Sequence, residues 1–233
     1  MNNIEKIRQK FNKGCVEFGL LADGDRILLA LSGGKDSLLM TRLMAERARI
    51  FRPSIKVEAA HVIMDNIPYE TERKYLEQFC EQLGIKLHIL HSSFDESTDP
   101  RKTKCFLCSW NRRKTLFSFA EKEGFNKVAL GHHQDDILTT WLMNIVYEGN
   151  ASTMQPLLKM EHYPIEVIRP LCLVHEEWIR EAAQELDFVG QKVVCPYDEA
   201  TRRHDIGMVF KQLEHLNPEA RYSMWNALMN LGK

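Results

Sequence analysis

No run of apolar residues in the 233-residue chain approaches the ~18 that a membrane-spanning helix needs, and the opening MNNIEKIRQK is too charged for a secretory signal. Both absences predict a cytoplasmic protein that does not enter a membrane. Glycine and proline are sparse, at 12 and 8, while 44% of the residues are hydrophobic and 27% charged, which excludes collagenous, low-complexity and disordered chains. An excess of either charge is also missing. With 31 Lys and Arg against 32 Asp and Glu the net charge is -1, so any contact with nucleic acid has to use a local patch. Six cysteines, unevenly spread, are too few for a secreted disulfide framework and point to metal or redox work. The length suits one domain with an appendage and is short for two full domains.

What the chain does have is alternation. Ile4, Ile7, Phe11, Cys15 and Phe18 recur at steps of three or four, one apolar face of an N-terminal helix that should pack on the main domain. After the turn Asp23-Gly24-Asp25, the short apolar run Arg26 to Leu31 reads as a strand, and Lys35 to Ala48, free of Gly and Pro, as a helix. The alternation continues with a strand over Val57 to Met64, a helix over Tyr69 to Leu83, a strand over Lys86 to His91, and a polar loop through Pro100. Then come a helix over Ser109 to Glu123, a strand over Val128 to Leu130 and a helix over Asp135 to Tyr147. A loop is expected from Gly149 to Pro164, a helix near Glu176 to Leu186, and a helical tail from about Asp205. This pattern predicts an α/β fold, a doubly wound parallel sheet covered on both faces. The expected division is an N-terminal helix over 1–22, the main domain over 23–200 and a helical segment over 201–233.

The first chemical signal is Leu31-Ser32-Gly33-Gly34-Lys35-Asp36-Ser37, between strand and helix at a strand's carboxyl end, where such sheets bind ligands. Amides at two glycines, a helix N-terminus and Lys35 make a phosphate cradle, with hydroxyls of Ser32 and Ser37 beside it. A Walker A loop would need glycine where Leu29 stands and Ser or Thr where Asp36 stands, so the usual kinase or GTPase reading fails. The second signal is Gly131-His132-His133-Gln134-Asp135-Asp136 at another strand end; its plain alternative is a helix cap. The third is Cys105-Phe106-Leu107-Cys108, compatible with a metal or cluster site, a redox disulfide or two buried thiols. Cys195, before Pro196, is the candidate third ligand, whereas Cys15, Cys80 and Cys172 lie in apolar patterns and read as core. Finally, Arg101, Lys102, Lys104, Arg112, Arg113 and Lys114 fall within 101–114 without an acidic residue among them, a local basic patch or else a solvated face.

Ser32 to Ser37 resembles the pyrophosphate loop of the N-type ATP pyrophosphatases. The three blocks together, with Glu17-Phe18 to Arg26 and Ile168-Arg169-Pro170-Leu171, resemble the tRNA 2-thiocytidine synthetase family from about Ile7 to Cys195. The resemblance implies an adenine nucleotide α-hydrolase-like PP-loop domain that binds ATP at Leu31 to Ser37, Gly131 and His132, with Lys35, Asp36 and Asp135 catalytic and Asp36 holding Mg²⁺. It further implies a [4Fe-4S] cluster on Cys105, Cys108 and Cys195, and a tRNA substrate, for which the basic patch offers Lys104, Arg112 and Arg113. The activity implied is adenylation of a base oxygen followed by thiolation, with sulfur from a cysteine desulfurase or free sulfide. Many members carry a second cysteine soon after the third ligand, where this chain reads Cys195-Pro196-Tyr197-Asp198. Rival readings are a lysidine-type synthetase, which has no use for the cysteines, and a non-catalytic adenine-nucleotide module. Homodimer formation is left open.

Overall fold

Alternate residues of the central strands face opposite ways, and each set meets its own layer of helices. A computed structural model describes residues 2–67, 72–95, 103–189 and 202–231. Strands β1 (Arg26–Ala30), β2 (Lys56–Met64), β3 (Leu87–Ser92), β4 (Lys127–Ala129), β5 (Leu157–Lys159) and β6 (Glu166–Ile168) form one sheet in the order β3-β2-β1-β4-β6-β5. All neighbours pair parallel except β5, which runs antiparallel to β6. Ile27, Leu29, Ala59, Ala129 and Ile168 join the buried residues of α1 (Asn3–Glu17), α2 (Lys35–Ala48), α3 (Arg73–Leu83) and α6 (Glu176–Glu185) in one core. Their neighbours Leu28, Ala60, Val128 and Val167 pack on the other face against Leu116, Phe117 and Ala120 of α4 (Lys104–Lys122). The parallel doubly wound sheet is therefore as expected, and α1 buries Ile7, Phe11 and Cys15 as its spacing predicts.

The strand order fixes where a ligand can sit. From β1 the chain winds outward through β2 and β3, then returns to lay β4 on the other side of β1. The carboxyl ends of β1 and β4 therefore splay at the switch point, the crevice that open α/β sheets use for ligands. At the opposite end a buried ion pair holds the strands: Lys127 Nζ lies 2.8 Å from Asp25 Oδ2 and donates to the Leu20 carbonyl at 3.0 Å.

Several expected boundaries move, α3 among them: it begins at Arg73, behind Glu72 at its N-cap, whereas Tyr69 lies outside the described residues. Helix α4 begins at Lys104 instead of Ser109, because Thr103 caps it, its Oγ1 accepting the Phe106 amide at 3.2 Å. The stretch expected as loop from Gly149 to Pro164 contains β5, and the C-terminal segment starts its helix at Arg202 and divides into α7 (Arg202–Leu216) and α8 (Ala220–Asn230). Asn217 and Pro218 stand at that break. The chain forms two compact units: 1–133 with 156–197, holding the sheet, and 134–155 with 198–233, holding α5 (Gln134–Glu148), α7 and α8.

Candidate active site

Leu31 still belongs to the sheet, its amide donating to the Ala60 carbonyl at 2.9 Å. The chain then turns through Gly33 at φ +90°, a conformation that residues with a Cβ avoid. Two serines close the loop: the Ser32 and Ser37 Oγ atoms are 3.0 Å apart, and Ser37 Oγ accepts the Gly33 amide at 3.1 Å while donating to the Gly34 carbonyl at 2.9 Å. Gly34 stands at the N-cap of α2 and no side chain caps that end, so the first amides of the helix are presented to an anion. Behind the loop His61, 3% exposed, lies with Nδ1 2.7 Å from the Leu31 carbonyl. Burial holds its pKa below the usual imidazole range; the Leu31 hydrogen bond opposes this and the Arg112 charge adds to it.

Lys35 Nζ lies 3.2 Å from Glu176 Oε1 at the start of α6 and 3.2 Å from Asp36 Oδ1. Burial alone would lower its pKa, but the two carboxylates win and raise it, so the ammonium is charged. The contact with Asp36 Oδ1 is close enough for attraction and not aligned for a hydrogen bond. That oxygen is buried without a hydrogen-bond donor, and His133 Nε2 approaches it only to 3.9 Å. A carboxylate oxygen in this condition beside uncapped helix amides suits a hard divalent cation such as Mg²⁺. An open cavity of about 560 Å³ lies beside Lys35, lined also by Arg180, Gln184, Asp187 and Phe188.

Gly131 joins the two motifs. A Cβ there would stand 3.2 Å from the Ser37 amide nitrogen and 3.3 Å from the carbonyl carbon and oxygen of Asp36, so only glycine lets the end of β4 come this close to the start of α2. Next along the rim, the His132 ring is held through Nδ1 by Arg169 Nε at 3.3 Å, which makes that nitrogen the acceptor. Arg169, 6% exposed, follows β6. Burial, with the repulsion of Arg113, pushes its pKa down to about 10. Sequence reasoning named Arg169 only within the Ile168 to Leu171 block and gave it no role, and it did not single out Glu176 or His61.

Cys105 and Cys108 occupy the first two turns of α4, one exposed and the other half-buried, instead of the turn ahead of the helix that the expected boundary implied. Two thiols one helical turn apart at a positive helix end fit thiolate coordination of iron. Cys195 lies outside the described residues, as do Arg101 and Lys102; among the described residues no group of three metal-binding side chains occurs. Lys104 and Arg113 are exposed and Arg112 is half-buried. Burial pushes the Cys15, Cys80 and Cys172 thiols up to about 12, consistent with core residues.

In the second unit, both carboxylates of Gln134-Asp135-Asp136 meet arginines from the C-terminal helices. Asp135 Oδ1 accepts from Arg221 at 2.6 Å, and Asp136 Oδ1 from Arg203 at 2.6 Å. Arg221 also donates to Glu214 at 2.8 Å. Burial opposes its charge, but Asp135 and Glu214 outweigh that and raise its pKa. Nothing local in the sequence marks these partners, which stand 67 and 86 residues from the aspartates.

With this geometry, the family model for the PP-loop domain matches residues 2–192. A tRNA-cytidine(32) 2-sulfurtransferase from Bdellovibrio bacteriovorus is 33% identical over 230 residues, covering 97% of this chain and 88% of that one. The chain belongs to the PP-loop family, in its tRNA-cytidine(32) 2-sulfurtransferase branch. A second member of that branch, from Legionella pneumophila, is also 33% identical, covering 97% of this chain and 81% of its own. Among solved structures, the U34-tRNA thiolase NcsA from Methanococcus maripaludis with its [4Fe-4S] cluster superposes with a TM-score of 0.81 at 26% identity, covering 98% of this chain and 79% of that one.

Proposed function

We infer that this chain is an ATP-dependent tRNA sulfurtransferase that replaces the O2 of a cytidine with sulfur. The observation that carries this reading is a phosphate loop with a donor-less buried Asp36 oxygen at the switch point, in a chain 33% identical to a curated tRNA-cytidine(32) 2-sulfurtransferase. The first amides of α2, which no side chain caps, receive the β and γ phosphates of ATP, and Lys35 leaves Glu176 for them. Asp36 is the residue to hold Mg²⁺, which when bound offsets phosphate charge. Arg169 and His132 line the rim where negative charge grows on the α phosphate.

Chemically, the amide-like O2 of cytosine is a poor leaving group until it is esterified. It attacks the α phosphorus, the bond to pyrophosphate breaks, and the base becomes adenylated. Sulfide then adds at C2, and the C–O bond breaks with AMP as leaving group, so one oxygen departs and one sulfur remains. Cys105, Cys108 and Cys195 are the residues that would hold the 4Fe-4S cluster, which when bound would supply the sulfide. We place the reaction in the cytoplasm, with a cysteine desulfurase or free sulfide as the source of sulfur; among the described residues no helix is long and apolar enough to cross a membrane.

The test is to incubate anaerobically reconstituted protein with Mg-ATP, sulfide and unmodified tRNA. AMP, pyrophosphate and 2-thiocytidine should appear in equal amounts. Pyrophosphate release with an amine adduct on the base would indicate a lysidine-type enzyme, and no pyrophosphate at all a non-catalytic nucleotide module.

A further inference from the structure

The helix that carries the two thiols also carries a face the chemistry above does not use. Phe106 is 42% exposed and Trp110 47% exposed, one helical turn apart on α4. Large aromatic rings standing out of a helix surface in succession are costly in water unless a partner covers them. The charge around them indicates what that partner is. Lys104, Arg113 and Lys114 are exposed on the same first three turns, Lys114 Nζ stands 5.2 Å from the Trp110 ring centroid, and no acidic residue occurs between Lys104 and Glu121. Aromatic faces interleaved with cations and free of carboxylates are the surface that single-stranded nucleic acid selects.

We propose that Phe106 and Trp110 form a stacking platform for unpaired bases of the substrate tRNA loop, with Lys114 and Arg113 holding the adjoining phosphates. This rests on the tRNA reading given above and names the residues that would recognise the loop as single-stranded. The spacing supports it: four residues of helix rise about 6 Å, against the 3.4 Å between stacked bases in a duplex strand. Two bases seated on these rings are therefore splayed apart, which a loop permits and a stem does not. Cys105 lies on the same exposed first turn as Phe106, so a base stacked there is delivered beside the thiols.

The experiment compares binding of the full chain, its cluster loaded, to an unmodified anticodon stem-loop with cytidine at position 32 and to the same RNA with its loop closed into a duplex. Wild type should prefer the open loop. Trp110→Ala and Phe106→Ala should each weaken binding to the open loop by about tenfold, the scale of one lost base stack, and leave duplex binding unchanged. Trp110→Phe should recover most of the loss. Because a stack neutralises no phosphate, the salt dependence of the alanine variants should keep the wild-type slope. Circular dichroism melts should be unchanged, since both rings are exposed. If wild type binds neither RNA, the tRNA reading itself fails and the platform with it. If wild type binds the open loop and both alanine variants bind equally well, the tRNA reading stands and the platform is wrong. Unchanged RNA affinity with slowed sulfur supply from a cysteine desulfurase would assign this face to a protein donor and likewise overturn the proposal.

Discussion

Replacing Gly131 by alanine places a methyl carbon 3.2 Å from the Ser37 amide nitrogen and 3.3 Å from the Asp36 carbonyl carbon and oxygen. All three are backbone atoms of the first turn of α2, which cannot swing aside as a side chain can, so either β4 or the phosphate loop has to shift. Overpacking of this kind costs about 1–3 kcal/mol. For a chain of this size each kcal/mol lowers Tm by roughly 2–4 °C, so the melt should fall by about 2–12 °C. The displaced atoms belong to the loop proposed to bind the nucleotide phosphates, so the KM for ATP should rise as well. Gly34 supplies an internal control. A Cβ there meets only Ser32 Oγ at 3.6 Å, an ordinary contact, and its φ of -76° suits any residue. Gly34→Ala should therefore leave the melt within about 1 °C of wild type and raise only the KM for ATP, by hindering phosphate approach. Differential scanning fluorimetry and tRNA-dependent pyrophosphate release measure both quantities. A Gly131→Ala protein with unshifted Tm and unchanged KM would refute the argument that this glycine brings the two motifs together.

Further expectations concern charge and thiols. Asp36→Asn should abolish tRNA-dependent pyrophosphate release with little change in the melt, because Oδ1 has no hydrogen-bond donor to lose and the ion pair with Lys35 is partly exposed; normal release would remove Asp36 from the metal site. Reversing Arg112 and Arg113 to glutamate should weaken tRNA binding and reduce the slope of affinity against salt by about 1 per lost phosphate contact, and an unchanged slope would move the RNA surface elsewhere. Alanine variants of Cys105, Cys108 or Cys195 should each lose bound iron, while those of Cys15, Cys80 and Cys172 should keep it; iron retained in Cys195→Ala would remove that ligand. The three buried thiols have folded pKa values raised from 9.0 to about 12. Their contribution to stability is then complete below pH 9 and is lost as pH rises toward 12. Chemical denaturation between pH 8 and 11 should show the decline, and a flat profile would mean that these thiols are not buried in solution.

Short-range order is what could be read from the residues in advance. Ser32 to Ser37 works through its own amides and hydroxyls, all within six positions, so its chemistry is written where it acts. The two-faced sheet followed from apolar runs such as Arg26 to Leu31 and Val128 to Leu130, whose side chains must be covered on both sides. Helix α4 was misplaced at its start because Lys104 to Cys108 looks polar and reactive; its exposed first turn has little core to bury, and the cap at Thr103 was the local sign. Strand β5 is three residues long, below the length at which alternation can register, and exists through pairing with β6. Arg169, Glu176 and Arg221 act on groups 37, 141 and 86 residues away, distances over which only the folded chain brings partners together.

The arginine clasps on Asp135 and Asp136 have a practical consequence for anyone shortening the chain or appending to it. Arg203 and Arg221 come from the last 31 residues, a stretch that would ordinarily be trimmed or fused to a tag without concern. Removing it takes both arginine partners from two half-buried carboxylates, together with the buried Ile206, Phe210 and Trp225 of α7 and α8. Arg203→Gln and Arg221→Gln in the full chain test the clasps alone: proteins that melt normally but turn over poorly would report their loss.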